Sequence, residues 1–213
     1  GVASRPGLRE ILGNLLDGLR YVLGHRLILA TVLVTVLMNL LLFPYMQMVP
    51  VVARDVLGVG PGLMGILMAS DGLGALVGST LIASVGAITH HGRVYMGGSM
   101  IGLVMVLLFS FSESYGLSLA LLLLLGLGTA GFGAMQATIV MLVAKEEMRG
   151  RALGVVSLAI GAGPLGSVII GAVASIVTPA FAIAMNSITG MLLLALISVR
   201  MPSLWRPTQV DKG

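Results

Sequence analysis

A single acidic residue lies inside a long apolar stretch. "LMASDGLGALVG" covers residues 67–78, and Asp71 is the one charged side chain between Val56 and Thr89. In a bilayer an ionised aspartate costs roughly 2.5–3.5 kcal/mol, so it must face protein, water or a cation rather than lipid. Desolvation favours the neutral acid, whereas a water-filled cavity or a cation favours the ionised form. Asp71 is therefore suited to carrying a proton or holding a cationic substrate. The alternative is a protonated carboxyl group that hydrogen-bonds a neighbouring helix.

The composition places this stretch in a membrane. Hydrophobic residues make up 57% of the 213-residue chain and charged residues 9%, which is far outside the range of soluble domains. Charged residues separate apolar runs that are each long enough to span once, and Pro179 predicts a hairpin within the last run. None of the runs alternates with period two, so helices rather than a barrel are expected. We predict an all-α bundle of six transmembrane helices over residues 27–200, from the runs Leu27–Ala53, Val56–Thr89, Val94–Ser112, Ser114–Ala144 and the double run Ala152–Val199.

Basic residues are distributed very unevenly around these spans. Six spans put both termini on one side, and of the 12 lysines and arginines all but Arg54 fall on that side. The positive-inside rule then places both termini in the cytoplasm, with residues 201–213 as a cytoplasmic tail. The net charge of +4 is explained by this topology and needs no nucleic-acid partner. The residues counted on the basic side are Arg5, Arg9, Arg20, Arg26, Arg93, Lys145, Arg149, Arg151, Arg200, Arg206 and Lys212.

Residues 1–26 form a linker followed by an amphipathic segment. In "LREILGNLLDGLRYVLGHR" the apolar residues recur at helical spacing, and the charged residues lie largely opposite. We expect this helix to lie flat on the cytoplasmic interface, although binding a partner protein is an alternative role.

Several apparent motifs lose their usual meaning in this setting. "GLGTAG" (residues 126–131) matches the dinucleotide-binding pattern but lies inside a long apolar helix without a preceding strand. Gly74 and Gly78 have the spacing of close helix packing. His90 and His91 are adjacent loop residues that do not easily chelate one metal, and cysteine is absent from the sequence. We find no pattern of an enzyme and predict no cofactor and no metal site.

Three features together resemble the carboxy-terminal half of a major facilitator superfamily transporter, in its bacterial drug and siderophore exporter branch. They are the stretch "FPYMQMVPVVARDVLGVGPGLMGILMASDGLGALVGS" (residues 43–79), the stretch "KEEMRGRALGVVSLAIGAGPLGS" (residues 145–167) and the six-span layout. The resemblance implies that these spans correspond to helices seven to twelve of twelve. Substrate would then bind between two six-helix halves in the inner (plasma) membrane of a bacterium.

The resemblance also selects candidate site residues. In the family the helices corresponding to spans one, two, four and five line the cavity, which adds Asn39, Gln47 and Gln136 to Asp71 as candidates for the substrate or proton pathway. For each of the three amides, an interhelical hydrogen bond is an equally good interpretation. The acid of the family's cytoplasmic loop pattern is replaced here by Ile82.

Helix kinks and close packing are expected at particular glycines and prolines. Gly163-Pro164-Leu165-Gly166 is similar to the glycine-proline element of antiporters. We expect it to bend the helix and to present small residues that let a neighbouring helix pack closely. The residues assigned to kinks and packing are Pro44, Gly74, Gly78, Gly163, Pro164 and Gly166.

The residues and the resemblance together predict half of a secondary transporter that works by alternating access with protons as the coupling ion, and export of a small molecule is what the resemblance implies. Its expected partners are the bilayer, the substrate, protons and a missing amino-terminal half. Two alternatives remain open: a six-helix membrane scaffold without a transport cycle, and a half-size transporter that acts as a homodimer.

The charge asymmetry gives a direct topological test. Ser114→Cys and Thr178→Cys should react with a membrane-impermeant thiol reagent added to intact cells, because both positions follow outward-directed spans. Thr89→Cys should remain unlabelled until the cells are permeabilised. Labelling of Thr89→Cys in intact cells would reverse the predicted orientation.

Overall fold

The computed structural model describes residues 8–86 and 88–208, and the side chains from residue 13 onward. Arg5 and Lys212, which the charge argument counts, lie outside the described residues. The described part of the chain is helical, with connections of a few residues, and has nine α-helices. They are α1 (Leu8–Gly24), α2 (Arg26–Leu37), α3 (Tyr45–Asp55), α4 (Pro61–Ser84), α5 (His91–Ser110), α6 (Tyr115–Val143), α7 (Glu146–Ile160), α8 (Gly163–Ile176) and α9 (Pro179–Arg200).

Six helical units are long and apolar enough to cross a membrane. Span 1 is α2 and α3 joined by a π-helical turn, span 5 is α7 and α8, and α4, α5, α6 and α9 are spans 2, 3, 4 and 6. Pro179 opens span 6, and the Thr178 hydroxyl caps it by accepting a hydrogen bond from the Phe181 N–H at 3.2 Å. The prediction of an all-α six-span bundle is confirmed.

Glycines let span 4 pack backbone to backbone against spans 2 and 3. A Cβ on Gly74 of span 2 would collide with the Leu123 carbonyl of span 4. A Cβ on Gly78 would lie 2.6 Å from the Leu127 carbonyl of the same span. The close approach is also seen from span 4, where a Cβ on Gly126 would collide with the Asp71 carbonyl of span 2. On the other flank, a Cβ on Gly98 of span 3 would lie 2.5 Å from the Gly128 carbonyl. Span 4 is thus the shared partner of its two neighbours.

Spans 1 and 5 are irregular where they meet. Span 1 changes from α-helix to a π-helical turn at Met38–Leu42 and resumes after Pro44, and span 5 is interrupted at residues 161–162. Pro44 has no N–H, so the carbonyl of Leu40 loses its usual donor four residues later. Gly166 of span 5 approaches that carbonyl so closely that a Cβ would lie 2.5 Å from it. The two distortions therefore fit one another.

Both ends of the described chain lie on the same side of the bundle, which is called the terminal side here. Helix α1 packs along α7, where the Tyr21 hydroxyl accepts a hydrogen bond from the Lys145 N–H at 3.0 Å. After span 6, a short 3-10 helix at Pro202–Trp205 buries Leu204 completely against Gly92. The predicted tail is therefore packed on the bundle as far as residue 208.

The glycine contacts between spans 2 and 4 can be tested by paired substitutions. Gly74→Ala should destabilise the detergent-purified protein by about 1–3 kcal/mol, because the added methyl group must push span 4 away. Gly72→Ala, two residues along the same helix, meets no atom within 4 Å and should be neutral or stabilising. Thermal unfolding curves of the two variants measure the difference in their stability. Equal stability would contradict the close approach.

Candidate functional site

The one acid inside span 2 is bound by a tyrosine of span 1. The Tyr45 hydroxyl donates a hydrogen bond to Oδ2 of Asp71 at 2.6 Å. Tyr45 is almost completely buried and Asp71 is half-buried. A hydrogen bond to a charged group contributes about 1.5–3 kcal/mol, which offsets a large part of the cost of a carboxylate at this depth. The bond also connects the half of span 1 that follows Pro44 to the middle of span 2.

A very small space adjoins this pair. Its volume is about 10 Å³, close to the roughly 10–15 Å³ that a single water molecule requires. Methionines and aliphatic side chains surround the two polar groups, and Met46 and Met68 extend from the space to the surface of the bundle. The other apolar neighbours are Val49 and Leu122. The space is large enough for one water molecule beside the carboxylate and too small to hold an organic ligand.

The main chain around Asp71 is held rigidly, whereas Tyr45 follows an irregular segment. Asp71 is the eleventh residue of α4, about 15 Å from its first residue at 1.5 Å per residue, and its carbonyl packs against Gly126. Tyr45 is the first residue of α3, directly after Pro44 and the π-helical turn. Such turns are frequent at functional sites because they displace the helix that follows. The hydrogen bond therefore joins a fixed group to one on a helix that can bend.

A second polar cluster joins spans 1, 3 and 4. The Thr35 hydroxyl accepts a hydrogen bond from Nε2 of Gln136 at 2.8 Å and lies 2.9 Å from the Tyr95 hydroxyl. Both hydroxyl groups also donate to the Thr31 carbonyl, from Thr35 at 2.8 Å and from Tyr95 at 3.0 Å. Nδ2 of Asn39 donates to the Thr35 carbonyl at 2.9 Å. Gln136 and Tyr95 thus connect spans 4 and 3 to span 1, whereas the Asn39 bond is local to span 1.

The predicted pathway residues consequently fall in three places. Asn39 bonds the Thr35 carbonyl and Gln136 bonds the Thr35 hydroxyl, Asp71 pairs with Tyr45, and Gln47 is exposed on the half of span 1 that follows Pro44.

The residues assigned to kinks and packing lie at helix contacts or breaks. Pro44 is the N-terminal cap of α3, and Gly163 begins α8 with its backbone facing Asn39. Pro164 occupies the first turn of α8 and is exposed, whereas Gly166 is buried against span 1.

Sequence reasoning did not identify Tyr45 as the partner of Asp71, and it missed Thr35 and Tyr95. A signal for Thr35 was present, because Thr31, Thr35 and Asn39 recur every fourth residue and so share one helix face. Tyr95 lies 60 residues from Thr35 along the chain, and no local pattern indicates that contact. The partner of Asp71 could be found only once span 1 was packed on span 2.

Comparison with known families agrees with this architecture. The profile of the transmembrane secretion effector family, which is of the major facilitator type, matches residues 3–209. The chain belongs to this family. A search of curated proteins found no match. Family membership and six apolar helices make the protein a multi-pass membrane transporter with a small-molecule substrate, rather than an enzyme.

Removal of one hydroxyl tests the second cluster. Thr35→Val keeps the shape of the side chain but removes a partner of both Gln136 and Tyr95, and we expect a loss of about 1–3 kcal/mol in stability. Thr80→Val is the matched control, because the exposed Thr80 hydroxyl bonds its own helix, at the Leu76 carbonyl. Unfolding in denaturant should separate the two variants. A Thr35→Val protein as stable as the control would refute the cluster's structural role.

Proposed function

We propose that the protein is a secondary active transporter that exports a small molecule in exchange for protons, with Asp71 as the proton-carrying group. The observation that supports this most directly is the hydrogen bond from Tyr45 to Asp71 beside a space the size of one water molecule. A proton carrier needs a titratable group in the membrane interior that water can reach. Asp71 is such a group.

The size of the space favours a proton over an organic cation. Binding sites for small molecules usually enclose about 300–1,000 Å³, whereas the space at Asp71 is about 10 Å³. Substrate would therefore bind elsewhere, on the surface to which Gln47 and the two methionines Met46 and Met68 are exposed. In a transporter with two six-helix halves, that surface would face the second half.

Protonation of Asp71 would change the connection between spans 1 and 2. An ionised carboxylate accepts the Tyr45 hydroxyl proton through a charge-assisted hydrogen bond, which is about twice as strong as a neutral one. Once protonated, the acid loses that advantage, and the outer half of span 1 is held less firmly at the π-helical turn. Uptake of a proton would thus be coupled to movement of α3, which is the requirement for gradient-driven alternating access.

The exposed surfaces support a second six-helix unit as partner. In the most apolar windows of spans 2 and 5, 22% and 28% of residues are buried, against 61% for span 1 and 56% for span 4. Spans 2 and 5 therefore have the surfaces available for an amino-terminal half or for a second copy. The charge asymmetry orients the terminal side toward the cytoplasm.

Replacement of Asp71 tests the proton-carrying role. In the full-length transporter, Asp71→Asn should lower pH-gradient-driven transport at least tenfold while insertion and folding persist, because the amide cannot titrate. Tyr45→Phe should lower it by a smaller factor, and Asp71→Glu should keep partial activity. Transport of a fluorescent substrate into everted vesicles, with and without an imposed pH gradient, measures the effect.

Asp55→Asn is the matched control, because Asp55 is exposed and paired with Arg54 at the outer end of span 1. This variant should transport normally. If Asp71 merely joins helices, Asp71→Asn should be nearly silent and Asp71→Leu should loosen the bundle. Wild-type gradient dependence in the Asp71→Asn protein would falsify the proposal.

A further inference from the structure

Helices α1 and α7 enclose a groove on the terminal side. Its volume is about 530 Å³, and residues of both helices line it. Helix α7 lines the groove with Glu147 and Arg151 at one end, called here the mouth, and with Leu158 at the other, and α1 contributes Asn14 and Leu15. Among the described residues, the groove shares no lining residue with the space beside the Tyr45–Asp71 pair.

The polarity of the groove changes along the direction of the membrane normal. From Glu147 to Leu158, helix α7 rises about 16 Å at 1.5 Å per residue, comparable with half of a hydrocarbon core about 30 Å thick. Gly150 and Gly154 face the groove between these levels, and a Cβ on either would meet no atom within 4 Å. The groove is therefore polar at the level of lipid headgroups and smooth and apolar at the level of acyl chains.

The charges at the mouth have both signs. Nη1 of Arg151 lies 3.5 Å from Oδ2 of Asp17 and 3.7 Å from the sulfur of Met148. Both contacts that the described residues make with this guanidinium are at Nη1, and the planar fork of donors on a guanidinium suits a phosphate group. The Glu147 carboxylate, exposed beside them, only accepts hydrogen bonds and suits an ammonium group.

Helix α1 places the groove at the membrane surface. Its face toward α7 buries Val22, whereas Leu16, Leu19 and Leu23 are exposed on another face. Exposed leucines on a helix beside apolar spans are stabilised by insertion at the headgroup boundary. The mouth of the groove therefore opens where phospholipids are the surrounding solvent.

We propose that this groove binds one zwitterionic phospholipid whose headgroup carries a primary ammonium, as phosphatidylethanolamine does. Arg151 and the Asn14 amide bind the phosphate, Glu147 accepts hydrogen bonds from the ammonium, and one acyl chain lies along Gly154 and Leu158. A headgroup with negative charge alone would bring no cation to the Glu147 carboxylate. A choline headgroup has no N–H to donate.

Native mass spectrometry of the full-length protein in detergent tests this assignment, with phosphatidylethanolamine, phosphatidylcholine and phosphatidylglycerol titrated separately. Phosphatidylethanolamine should bind at least fivefold more tightly than the other two. Glu147→Gln should abolish this preference, whereas Glu146→Gln, on the neighbouring residue outside the groove lining, should preserve it. Equal binding of the three lipids by the unaltered protein would overturn the proposal.

A second pair of variants tests the location. Gly154→Leu fills the groove with a side chain that helices favour, and should weaken phosphatidylethanolamine binding at least tenfold. Gly133→Leu makes the same change at an exposed position of span 4 where a Cβ would meet no atom within 4 Å, and should leave binding unchanged. Both variants should retain the unfolding temperature of the unaltered protein. Undiminished binding by Gly154→Leu, as when the groove is covered by another part of the protein, would refute the site.

Discussion

The close approach of span 4 to spans 2 and 3 is the constraint on which the rest of the bundle depends. Apolar side chains gain little by leaving lipid for a protein interior, so helices in a membrane associate through tight packing and hydrogen bonds. Here glycines on both sides of each contact allow backbone atoms to touch, at Gly74 and Gly126 toward span 2 and at Gly98 toward span 3. The same contact fixes the main chain of Asp71, because its carbonyl is covered by Gly126.

Span 1 contrasts with this rigid group. Its π-helical turn and Pro44 interrupt the regular hydrogen-bond pattern directly before Tyr45. The half before the turn is held by the Thr35 cluster and the half after it by the Tyr45–Asp71 bond. One helix is thus attached at two points on either side of a weak segment. That arrangement suits a part that moves relative to its neighbours while the protein stays folded.

Much of the architecture could be predicted from the sequence because the bilayer simplifies it. The apolar runs between charged residues predicted six spans, and Pro179 predicted the hairpin between the last two. Both predictions are confirmed, because helix length and proline geometry are local properties. Asp71 could also be singled out from the sequence alone, because a charged group in the hydrocarbon core is costly whatever its neighbours are. Its partner depends on how two helices face one another. Likewise, the helical spacing of apolar residues in α1 predicted the helix but not its packing on α7, because an apolar helix face can pack on protein as well as on lipid.

The 3-10 helix after span 6 has a practical consequence for labelling the protein. Leu204 covers Gly92, Nε of Arg93 donates to the Trp205 carbonyl at 3.0 Å, and the Thr208 N–H donates to the Thr89 carbonyl at 3.0 Å. A fluorescent reporter fused at residue 208 or later leaves this cover in place. A fusion made directly after Arg200 strips it from the start of span 3 and exposes the apolar surface that Leu204 occupied. Such a fusion would report on the abundance of a damaged protein rather than on that of the native one.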